Sequence, residues 1–124
     1  MKKSYVYLLI NHNRTVFKIG TTNNLEVRIR HLKYFWGDFK LHDSFAIECD
    51  SSYSFKLESL LKNLAADHKF EFKGEDKEKN GAHEFFKIEI LNDLKSFIED
   101  QLMSFKKDIK LIEIKEVQKK IRKC

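Results

Sequence analysis

Two short apolar runs broken by a polar cluster open the chain, and apolar residues at helical spacing follow them. Tyr5 to Ile10 is a run of aromatic and branched residues with strand character, and the polar Asn11-His12-Asn13-Arg14 has turn composition. A second such run, Thr15 to Ile19, stops at Gly20, so the two strands form an antiparallel hairpin. Asn23 as N-cap, Glu26 three residues on, and Leu25, Ile29 and Leu32 on one face then predict a helix ending near Gly37. Lys40 to Cys49 reads as a third strand with imperfect alternation. Asp50, Ser51 and Ser52 offer N-caps for a second helix reaching about His68, with Leu57, Leu60, Leu61 and Leu64 turned to the core. Phe70 to Gly81 reads as a surface loop, because Lys73 to Gly81 is almost wholly charged. Glu84 to Ile88 is a short extended return to the core. The last helix, about Glu89 to Phe105, carries the stripe Leu91, Leu94, Ile98, Leu102, Phe105. In the tail, Ile109, Ile112, Val117 and Ile121 fit a helix loosely, whereas Ile112 and Ile114 alternate as in a strand; its conformation stays open.

Strand and helix geometry brings particular polar groups together. Tyr5 and Tyr7 share one face of the first strand, Val16 and Lys18 share a face of the second, and Arg28 lies one residue off the buried stripe of the first helix. A tyrosine pair, a lysine and an arginine beside one hairpin suit an anionic substrate. Glu58 lies beside the leucine stripe of the second helix, where a carboxylate needs a counter-charge. Either a metal ion or an i,i+4 pair with Lys62 would supply it.

Charge sharpens the picture. Residues 1–40 carry 8 Lys and Arg against 2 Asp and Glu, residues 41–105 carry 8 against 14, and residues 106–124 carry 8 against 3. The hairpin, the first helix and the tail are therefore basic, which suits a polyanion partner. Two cysteines, Cys49 and Cys124, make neither a disulfide framework nor a zinc ligand set. No apolar run is long enough to cross a membrane and no signal-peptide core follows the basic N-terminus, so the expected location is the cytoplasm, that of a host cell if the protein is viral.

Tyr5-Val6-Tyr7, Lys18-Ile19-Gly20, Arg28 eight residues later, Glu58, and Glu84-Phe85-Phe86 together resemble the GIY-YIG endonuclease superfamily, in particular its compact phage and large-DNA-virus branch with a KIG second motif. The resemblance covers roughly residues 4 to 105. It implies an α+β fold, a small three-stranded antiparallel sheet flanked by helices, with a nuclease domain over 1–105 and a basic C-terminal tail over 106–124. It further implies DNA as substrate, one Mg²⁺ or Mn²⁺ held by Glu58, Tyr7 as general base, and Arg28 as a bidentate phosphate ligand. Lys18 stands where the second motif has tyrosine, and its ammonium is expected to hold the water or the phosphate and to lower the pKa of a neighbouring tyrosine. Tyr5 and His31 are secondary candidates. The lysine also supports an alternative, a catalytically silent domain of the same fold that binds nucleic acid or protein. Cutting both strands with one such domain calls for a homodimer or a protein partner, and no residue pattern identifies one.

Overall fold

A computed structural model of the chain describes residues 2–72, 84–105 and 108–114. Its centre is an antiparallel sheet of five strands: β1 (Lys3–Asn11), β2 (Val16–Thr22), β3 (Phe39–Asp50), β4 (Phe85–Lys87) and β5 (Lys110–Glu113), in the order β4-β2-β1-β3-β5. The expected three-stranded sheet is thereby corrected, while the α+β class stands. The first three strands are those read from the hairpin and its successor. The extra two are short edge strands that only pairing defines: Phe17 faces Phe86 across β2–β4, and Ile47 faces Leu111 across β3–β5. Glu84 to Ile88 reads as extended and Ile112 alternates with Ile114 as in a strand, but membership of the sheet is fixed for so short a strand by the ladder it joins.

Three helices cover the two faces. α1 (Leu25–Trp36) buries Leu25, Ile29 and Leu32 against Tyr7, Leu9 and Val16 on one face. α2 (Ser54–Leu64) and α3 (Leu91–Phe97) bury Leu57, Leu61, Leu91 and Leu94 against Val6, Leu8, Phe17 and Ile19 on the other. Strand alternation distributes β1 between both cores. The last helical stretch is less regular than its stripe suggests: a 3₁₀ turn, Ile88–Ile90, precedes α3, and a π-helical turn, Ile98–Leu102, follows it. The wider turn keeps Ile98 buried while leaving Leu102 half-exposed.

Several local expectations are revised. Asn24, not Asn23, caps α1, its Oδ1 accepting from the Val27 amide at 3.1 Å. β2 continues through Gly20 to Thr22. On α2 only Leu57 and Leu61 are buried, with Ser54 and Ala65 completing a narrow stripe, so Leu60 and Leu64 are exposed on the neighbouring row. Phe70 and Phe72 are not loop residues free of the core: the Phe70 amide donates to the Phe85 carbonyl at 3.0 Å, the Phe72 ring packs on Trp36 and Phe85, and the Phe70 ring packs edge-on against Phe72. The charged stretch 73–81 lies outside the described residues. So does the side chain of Phe105. Among the described residues no helix is long and apolar enough to cross a membrane.

Candidate functional site

Among the described residues β4 pairs with β2 from Val16 to Lys18. Glu84, immediately before β4, stands at the end of this ladder and links groups from both faces of the sheet. Lys18 shares the α1 face with Val16 and is 1% exposed, its Nζ donating to Glu84 Oε2 and lying 5.4 Å from the centre of the Phe85 ring. Lys62 of α2 reaches the same carboxylate, with Nζ 3.3 Å from Glu84 Oε1 and 3.2 Å from Glu58 Oε2. Lys18, Glu84, Lys62 and Glu58 thus form one continuous chain of alternating charge.

Tyr7 and Gly20 are Cα partners across β1–β2. The Tyr7 ring, 1% exposed, lies directly over Gly20, where an added Cβ would come within 2.2 Å of the phenol oxygen. The glycine is required by this close approach, since its backbone is not left-handed. Arg28 Nε donates to the phenol oxygen at 3.3 Å, which joins α1 to the hairpin.

Burial and charge set the protonation of this group. Burial raises the Tyr7 phenol above its ordinary value; the Arg28 hydrogen bond opposes this, and the charges of Glu84 and Glu58 reinforce it. The expected lowering by neighbouring cations is therefore outweighed, and the Lys18 ammonium is directed at Glu84. Burial lowers the Lys18 ammonium, against the pull of Glu84. For Glu84 burial acts upward, but hydrogen bonds and charge from Lys18 and Lys62 prevail and hold the carboxyl below its usual range.

Tyr7, Lys18, Arg28 and Glu58 are thus brought into one neighbourhood. Tyr5 is drawn instead toward β3, donating to Glu48 Oε1 at 3.3 Å, and burial with the Glu48 charge raises its phenol. His31 is exposed on α1, one turn beyond Arg28. Two members were not singled out as site residues from sequence. Lys62 was legible as the i,i+4 partner of Glu58, and that pair does form. Glu84 gave no local signal of its contact with Lys18, 66 residues away.

Three cations, Lys18, Arg28 and Lys62, stand against the carboxylates of Glu58 and Glu84, so the group has an excess positive charge to offer an anion. Among the described residues no three His, Cys, Asp or Glu side chains converge to hold a metal ion. Glu58, the carboxylate expected to hold one divalent ion, has a side chain 14% exposed, and its Oε2 already neutralises an ammonium. With one carboxylate, such an ion completes its shell with water and substrate oxygens.

No curated protein and no solved structure matches the chain. One protein-family match spans residues 4–103, from β1 into the last helical stretch, and includes every residue of the charge chain and the tyrosine–arginine pair. That family is associated with phages and grouped with nuclease-related GIY-YIG and HNH-like families. Over this span the chain belongs to the T5orf172 domain family.

Proposed function

We propose that this domain binds DNA and hydrolyses its phosphodiester bonds in the manner of GIY-YIG endonucleases, using one divalent metal ion. The observation that supports the reading is the Arg28 hydrogen bond to the buried Tyr7 phenol, with Glu58 and Glu84 close enough to raise that phenol through their charge. A lysine buried to 1% exposure is costly for a fold. Glu84 neutralises it, and an anionic ligand at the neighbouring arginine gives a reason to keep a charged pair there.

The residues divide the work by chemistry. Arg28 presents a planar fork to phosphate oxygens, and Lys18 presents a point charge fixed by Glu84. Both stabilise the negative charge that grows on the phosphorus oxygens. Tyr7 is the general base: its oxygen is held by Arg28, and it accepts a proton from the attacking water once the phenol has ionised. Glu58 would hold Mg²⁺, or Mn²⁺, which supplies Lewis acidity toward the phosphate and the leaving oxygen. The Lys62 ammonium must leave Glu58 for that to happen, and Glu84 already offers it a second acceptor at 3.3 Å.

A DNA-binding domain without cleavage is the competing reading, favoured by the ion pairs that engage both Lys18 and Glu58. Incubating supercoiled plasmid and branched DNA with the protein and Mg²⁺ or Mn²⁺, beside a Glu58→Ala control, separates the two. Metal-dependent nicking lost in the control is expected. DNA binding with no nicking under any divalent metal overturns hydrolysis and leaves the binding domain.

A further inference from the structure

We propose that the surface of α1 leading away from Arg28 is a stacking ledge for unpaired nucleotides, so that the substrate is DNA with a single-stranded segment at the cleavage site. The inference rests on the nuclease reading above and adds the class of substrate.

α1 carries Arg28, Arg30 and Lys33 against the single acid Glu26, which makes its surface complementary to a polyanion. On that basic helix Tyr34 is 94% exposed and Phe35 47% exposed. These large apolar surfaces face water on a helix whose core contacts are already made by Leu25, Ile29 and Leu32. Phosphate contacts alone do not call for them; bases do, because every base has a face that stacks on an aromatic ring.

Position strengthens the case. Arg28, His31 and Phe35 are spaced i, i+3, i+7 and fall on one line along the helix, with Tyr34 on the adjacent row. The line is about 10 Å long at the rise of an α-helix, or about three nucleotides at the stacked spacing of one strand. Phe35 also belongs to a row of rings. It packs edge-on against Trp36 at 5.6 Å, Trp36 packs against Phe85 at 4.9 Å, and Lys18 lies over Phe85. The exposed rings are therefore mounted on the rigid support that also holds the site lysine. A strand whose phosphate is gripped by Arg28 would lay its next bases along the helix toward Phe35 and Tyr34. Bases paired in a duplex have no free face to offer there.

Two probes of equal duplex length test this, one blunt and one with a three-nucleotide flap carrying 2-aminopurine. The parent should bind the flap more tightly and quench its fluorescence. Tyr34→Ala, at a site with almost no buried contact, should reduce that preference by about tenfold, and Tyr34→Trp should restore it. Phe55→Ala, removing an exposed ring on α2, serves as the control and should leave the preference intact. Equal parental affinity for both probes, or an undiminished preference in Tyr34→Ala, overturns the ledge while leaving DNA binding in place. Failure to bind either probe overturns the DNA reading itself, and the ledge with it.

Discussion

Replacing Gly20 by alanine tests the geometry of the site without touching a charge. The new Cβ would lie 2.2 Å from the Tyr7 oxygen, 2.4 Å from Cζ and 3.0 Å from Cε1. Ordinary contact distances require the ring to retreat by more than about 1 Å. It has little room, being 1% exposed beneath α1 and tied to Arg28. Overpacking of this kind costs about 1–3 kcal/mol, so about 2 kcal/mol is expected. With an unfolding entropy of about 0.26 kcal/mol/K for a chain of this length, that lowers the melting temperature by about 8 °C. The assay is thermal and urea unfolding followed by circular dichroism, on Gly20→Ala, Tyr7→Leu and the double variant. Since leucine does not reach over residue 20, most of the alanine penalty should vanish in the double variant. A Gly20→Ala protein within 0.5 kcal/mol of the parent, or strictly additive costs, would refute the contact as the reason for glycine.

Three further outcomes follow from the charge chain and the phenol. Glu84→Gln should cost about 3 kcal/mol near pH 7, because it leaves the buried Lys18 without its carboxylate. As the parent Glu84 has a depressed pKa, its contribution is present above the unfolded value and fades as pH falls through the folded one; the two proteins should therefore converge as pH falls below the ordinary carboxyl range in urea unfolding, and a constant gap would exclude this origin. Lys62→Met should tighten Mn²⁺ binding at Glu58 by about fivefold, since an ion pair worth about 1 kcal/mol no longer competes; calorimetry showing equal or weaker binding would separate Lys62 from the metal site. If Tyr7 is the base, its raised phenol means that single-turnover cleavage climbs with pH across the neutral range, by about tenfold per unit. Tyr7→Phe should lose that dependence along with activity, and a variant that keeps the slope would assign the proton to another group.

What the sequence disclosed depended on where the information lay. The hairpin, α1 and the third strand were legible because their periodicity is local, and with them the approach of Tyr7, Lys18 and Arg28. β4 and β5 were not legible as sheet members because each acquires strand identity only by pairing with a residue far along the chain, such as Phe17 or Ile47. The leucines of α2 show the same limit in reverse. All four have helical spacing, yet only the row of Leu57 and Leu61 meets the sheet, and spacing alone does not choose between adjacent rows. The protonation of Tyr7 was misjudged for an energetic reason: counting nearby cations predicted a lowered phenol, but the desolvation that accompanies 1% exposure is larger. Glu84 was missed because its importance lies wholly in a contact made across 66 residues.

The strand order has a consequence for how the protein is made. The central strands β2, β1 and β3 lie within residues 3–50, whereas the edge strands that flank them begin at residues 85 and 110. A chain emerging from the ribosome at about 5–20 residues per second presents the three-stranded centre about 3–12 s before β5 exists to cover β3. During that interval the unpaired backbone of β3 is a template for any other extended chain. Newly synthesised protein should therefore be most prone to aggregate before residue 110 is translated, and nascent chains arrested after Asp50 should associate more readily than those released after Ile114.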